Sequence, residues 1–124
     1  MVALVGYEIK VGDAPRVVLY WEALDVPTDQ YTVFVHLLDE WGQLWGQGDG
    51  PPVNGDYPTI YWESGELIVD QHLINVEDDV PLGDYSVAVG LYHPEKETRL
   101  PVWDEAGLPQ PQDRVVLPSI ISFD

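Results

Sequence analysis

Acid side chains dominate the chemistry available to this chain: 22 Asp and Glu stand against 5 Lys and Arg, for a net charge of −17. Two carboxylates about 5–10 Å apart across a sugar ring are the machinery of glycoside hydrolysis. No spacing in this sequence singles out such a pair, and among so many acids chance pairs are expected. Carboxylates in oxygen-rich loops also hold calcium, which takes roughly six to eight oxygens. Asp49, Asn54 and Asp56 share one loop, and Glu77, Asp78 and Asp79 are adjacent in another. Neither stretch follows the Asp-x-Asp-x-Asp-Gly pattern, and Gly, Asn and Asp are the ordinary residues of turns. No metal or cofactor is assigned on this basis, although a calcium-stabilised module stays open as an alternative.

Nucleophilic chemistry has little support. The chain has no cysteine, which excludes thiol catalysis, Cys-ligated zinc and disulfides. His36, His72 and His93 do not stand at metal-ligand spacing. Ser64, Ser86, Ser119 and Ser122 lack a nucleophile-elbow context. The expectation is a non-enzymatic chain.

Aromatics are the stronger signal, with 5 Trp and 7 Tyr. Flat apolar rings with a polar edge suit stacking against sugar C–H faces, while neighbouring Asp and Asn hold hydroxyls. On that reading Trp41, Trp45, Tyr57 and Tyr61 would stack on a glycan and Asp49, Asn54 and Asp56 would hydrogen-bond to it. The competing reading is that these rings plug the ends of a domain. Trp21 belongs to a strand face and reads as core, Trp41 reads as the most exposed of the set, and Trp62 reads as buried.

Strands must position these groups. From Tyr85 to Leu91, Tyr85, Val87, Val89 and Leu91 alternate with smaller or polar residues after the turn Pro81-Leu82-Gly83, the pattern of a strand with one face in a core. Residues 2–9 read as a first strand with Ala3, Val5, Tyr7 and Ile9 on one face. Residues 16–23 read as a second, and residues 31–39 as a central strand apolar on both sides. Asp39-Glu40-Trp41-Gly42 reads as a hairpin turn. Residues 43–47 return, residues 48–59 form a long loop, and residues 66–74 read as a strand with Leu67, Val69 and Leu73 on one face. Two further strands fall within residues 99–103 and 115–123. Helical periodicity is absent, and 11 Pro with 11 Gly argue against long helices. The expected fold is all-β: one immunoglobulin-like antiparallel β-sandwich of about eight strands over residues 1–124. The acidic field repels nucleic acid and anionic lipid, and no apolar run of about 20 residues inserts into a membrane.

The ordered set Tyr20-Trp21-x-Ala23-Leu24, residues 31–39 with Gly42, Gln47-Gly48-Asp49-Gly50-Pro51-Pro52, Tyr57-Pro58-Thr59, Trp62-x-x-Gly65-Glu66, Pro81-x-Gly83-x-Tyr85, Val89-Gly90-Leu91-Tyr92 and Leu100-Pro101-Val102 spans nearly the whole chain. It resembles the C-terminal extracytoplasmic domain of bacterial polytopic membrane glycosyltransferases of the dolichyl-phosphate-mannose type, and of related uncharacterised envelope proteins. The resemblance implies an excised accessory domain held outside the cytoplasm on a membrane protein. It carries over no catalytic residue, because the transferase would lie in membrane helices elsewhere. Its implied partners are glycan or the parent transmembrane domain. A structural or protein-interaction module without a small ligand is the alternative, and it would show a contiguous apolar patch on one sheet face.

Overall fold

The computed structural model describes residues 1–12 and 14–124. Among these residues nine strands form two sheets: β1 (Val2–Lys10), β2 (Arg16–Ala23), β3 (Thr32–Leu38), β4 (Leu44–Gln47), β5 (Leu67–Leu73), β6 (Asn75–Val76), β7 (Gly83–Tyr92), β8 (Val102–Trp103) and β9 (Val115–Phe123). One sheet has the order β5-β2-β1-β8 and the other β6-β4-β3-β7-β9. All pairings are antiparallel except β1 with β8. The neighbours β5-β2-β1 and β4-β3-β7-β9 are those of strands E-B-A and C′-C-F-G in an immunoglobulin-type sandwich. Among the described residues no helix is long and apolar enough to cross a membrane.

Alternation drives the packing. Val17, Leu19, Trp21 and Ala23 of β2 face Val33, Val35 and Leu37 of β3 and Tyr85, Val87, Val89 and Leu91 of β7 across the core. Each large aliphatic or aromatic side chain so buried contributes about 1.5–3 kcal/mol. The β7 face is the one its alternation predicts. At the start of that strand the Tyr85 hydroxyl donates to the Pro81 carbonyl at 2.6 Å. This is the tyrosine corner of such sandwiches, and it fixes how the chain turns into β7. As its double-sided apolarity predicts, β3 lies in the middle of its sheet.

Two strand faces differ from expectation. In β1 the register shifts between Leu4 and Gly6, so Val2 and Leu4 face inward before the bulge and Tyr7 and Ile9 pack inward after it. A bulge adds one residue and flips the alternation, which removes Ala3 and Val5 from the core face. In β5 the whole assignment inverts. Leu67, Val69 and Leu73 are 56, 54 and 55% exposed. The inward residues are Ile68, Asp70 and His72. The apolar set faces out because the inward polar pair is hydrogen-bonded within the interior, which alternation of hydropathy cannot register.

Candidate functional site

The segment from Gly48 to Trp62 is not a free loop. Gly50 bridges β3 at Val33, single 3-10 turns occupy Pro52–Gly55 and Thr59–Tyr61, and Val53 and Asn54 adopt left-handed backbone with φ of 53° each. A β-branched residue rarely adopts that conformation. Here it is held by a bond from the Val53 N–H to Asp70 Oδ1 at 2.8 Å.

Asp70 is the hub of this anchorage. Fully buried, it accepts from Val53 on Oδ1, from Trp21 Nε1 on Oδ2 at 3.2 Å, and lies 2.7 Å from His72 Nε2. His72 Nδ1 donates to the Gly48 carbonyl at 2.9 Å, since a carbonyl can only accept. Every polar atom of the cluster is satisfied, as a buried network requires. The Gly48 carbonyl is thereby turned toward His72 and away from β3, although Gly48 N–H still donates to Val35 O at 2.8 Å. The Val35 N–H instead donates to the Asp49 side chain at 3.0 Å. A carboxylate thus substitutes for a backbone carbonyl in the ladder. Only glycine fits at position 48, where a Cβ would sit 2.3 Å from the Leu73 carbonyl oxygen.

On the outer face of the five-stranded sheet, Asp49 meets a second group. Phe34, His36, Asp49, Tyr92, Glu97 and Arg99 line a depression of about 240 Å³. The Arg99 guanidinium lies 4.5 Å above the Phe34 ring and donates from Nη1 to the Gln112 carbonyl at 3.0 Å. Phe34 lies flat because β7 has Gly90 beneath it; a Cβ there would be 2.5 Å from Phe34 Cζ. His36 Nε2 stands 3.9 Å from Asp49 Oδ1. Burial pushes the His36 imidazole below its ordinary value; Asp49 opposes this, and Arg99 and Arg114 reinforce it.

No family model, curated protein or solved structure matches this chain.

The sequence-selected residues do not form one platform. Trp41 is 83% exposed at the β3–β4 turn, where Gly42 N–H donates to Asp39 O, and it borders a depression with Pro81, Leu82 and Ile120. Trp45, half-buried, donates from Nε1 to Asp39 Oδ2 at 2.9 Å. Burial pushes the Asp39 carboxyl up, and its bonds from Trp45, Gln43, Trp41 and Gly42 outweigh this and hold it below the usual carboxylate range. Tyr57 and Tyr61 lie at the other end of β3, where Thr59 Oγ1 accepts from Tyr31 N–H. The length of β3 separates the two groups by about 20 Å.

The Tyr57 hydroxyl is 2.7 Å from Glu66 Oε1 and 3.0 Å from the Tyr61 carbonyl, and the bond to Glu66 pushes the phenol up to about 12. Trp62 is buried and donates to the Tyr57 carbonyl. Tyr61 is 63% exposed. Asn54 and Asp56 are exposed on the 3-10 turn region near β5, apart from Asp49 on the opposite sheet. Among the described residues no three His, Asp or Glu side chains converge to hold a metal ion. The partners of the Asp70–His72 pair and the Arg99–Phe34 contact escaped sequence reasoning because they lie 17 to 65 positions apart. The alternation Phe34-x-His36 opposite Gly90 was the one local trace of the second.

Proposed function

We propose that this chain is a non-catalytic accessory domain of a membrane glycosyltransferase-like envelope protein, held outside the cytoplasm, and that it packs the outer face of β5-β2-β1 onto the rest of that protein. The observation that carries this reading is the exposed row Leu67, Val69 and Leu73 on β5. In register beside it, Val69 faces Tyr20 of β2. β5 is an edge strand, and among the described residues no backbone hydrogen bond beyond its ladder with β2 reaches residues 67–73. An open, aliphatic edge is normally blunted or covered.

The face is also polarised. Arg16, paired with Lys10 on β1, stands at the Leu73 end, and Glu22 at the Leu67 end. It therefore suits an apolar surface with an acidic patch at one end and a basic patch at the other. A second copy is disfavoured, because each copy brings a net charge of −17. The loop aromatics support docking over a loop-borne glycan platform, since Trp45, Tyr57 and Trp62 spend their polar atoms inside the fold.

A photo-crosslinking side chain at Val69, in cells producing the full gene product, is expected to give crosslinks to another segment of the same polypeptide. The same probe at Gln112, in the 3-10 turn that leads into β9, is expected to give none. Crosslinks only between copies of this domain, or equal yield at both positions, would overturn the reading.

A further inference from the structure

The depression over Phe34 lies on the sheet opposite the docking face, so it would remain open when that face is covered. Its chemistry is mixed. Arg99 supplies donors, Asp49 and Glu97 supply acceptors, and the phenol of Tyr92 can do either. His36, neutral at physiological pH, likewise carries one donor and one acceptor nitrogen. Three of the chain's 5 cationic side chains, Lys96, Arg99 and Arg114, lie in the segments flanking this face, yet two carboxylates sit among them. An anion would meet Asp49, Glu97 and the general field of the chain; a cation would meet Arg99 and Arg114.

The charged groups are also partly committed. Asp49 Oδ1 is taken by the Val35 N–H, and Arg99 Nη1 by the Gln112 carbonyl. Arg99 keeps further N–H donors, but the carboxylates of Asp49 and Glu97 line the same depression and oppose the seating of a carboxylate or phosphate on its fork. The half-buried ring of Tyr92, with its centroid 6.4 Å from that of Phe34, makes an aromatic wall. Separate donors and acceptors around an aromatic wall, in a space of about 240 Å³, fit a ring bearing several neutral hydroxyls, each of which donates and accepts. We propose that this depression binds one neutral saccharide unit of a glycan, with Asp49, Glu97, His36 and Arg99 holding its hydroxyls and Tyr92 against its C–H face. The site is separate from Trp41, Trp45, Tyr57 and Tyr61, and it stands whether or not the docking face is used.

The test is amide-shift mapping of the chain with glucose, galactose, mannose and N-acetylglucosamine, alongside inorganic phosphate and glycine as charged and zwitterionic probes. At least one neutral sugar should give saturable, millimolar shifts confined to the neighbourhood of residues 34–36, 49, 90–92 and 97–99. Asp49→Asn keeps an acceptor for the Val35 N–H, and Arg99→Lys keeps the charge; each should weaken binding about tenfold while the melting temperature of the free chain holds. Should Arg99→Lys prove unstable, Glu97→Gln, at an exposed turn position, serves as the second variant. The proposal is overturned by the absence of saturable shifts from all four sugars, by saturation with phosphate or glycine in their place, by shifts centred on Trp41 or Tyr61, or by affinity unchanged in the variants.

Discussion

Asp70 and His72 show how a buried polar pair can organise a loop. Together they engage Trp21, Val53 and Gly48, tying β2, β5 and the segment after β4. Removing one partner leaves the other buried without its counterpart, which costs about 3–5 kcal/mol. Asp70→Ala and His72→Ala are each expected to lose that much in urea unfolding, and the double variant less than their sum, giving a favourable coupling energy in a double-mutant cycle. Additive losses would show that the two act independently. Gly90 has a similarly local reason: Gly90→Ala would press a methyl group into Phe34 and is expected to cost about 1–3 kcal/mol. The same change should shift the amide signals of residues lining the Phe34 depression.

Among the elements, β5 is the strand whose exposed and buried faces reverse its hydropathy pattern. Its apolar triple Leu67, Val69 and Leu73 faces solvent, and its inward side carries one aliphatic residue, Ile68, with the polar pair. Val69→Lys is therefore expected to change stability by no more than about 0.5 kcal/mol, whereas Ile68→Lys should unfold the domain at ambient temperature. The reverse result in urea titrations would restore the register that hydropathy alone suggests. At the start of β7, Tyr85→Phe removes only the hydroxyl that donates to Pro81. Its expected cost is about 0.5–1.5 kcal/mol, read as a lowered denaturation midpoint with unchanged slope.

For the molecule as a whole, charge and hydrogen bonding set the response to pH. Bonds from the Glu63 N–H and the Tyr57 hydroxyl hold the Glu66 carboxyl below the usual range against the upward push of burial, and Asp39 is held down by its own hydrogen bonds, led by that from Trp45. A carboxyl depressed in the folded state binds fewer protons than in the unfolded state, so its contribution is present above the unfolded value, about 4, and is lost as pH falls through the folded one. His36, also depressed, acts in the same direction below its unfolded value of about 6.5. Stability is expected to fall on acidification from pH 7 to 3, and Glu66→Gln should flatten the lower part of that profile. A profile identical to the parent chain would remove Glu66 from the account.

Much of this architecture is legible in the residues themselves. Period-2 alternation with Pro and Gly turns identifies β7, β2 and β3, and double-sided apolarity places β3 inside its sheet, because these are properties of residues two positions apart. The exposure of Trp41 and the burial of Trp62 follow from their neighbours in turn and loop. The bulge in β1 and the inverted face of β5 were not legible, since both depend on what lies opposite across a sheet. Nor was the separation of Trp41 from Tyr57, which 16 positions of sequence leave undecided until β3 is seen to run between them. Sequence alone thus determined an acidic, cysteine-free, all-β sandwich and the faces of its central strands. Tertiary structure alone decided which polar groups meet. The partners gathered by Asp70 and His72, the Asp49 side chain standing in for a carbonyl, and the meeting of Arg99 with Phe34 join segments distant in sequence, and strand register, absent from any local pattern, is what brings them together.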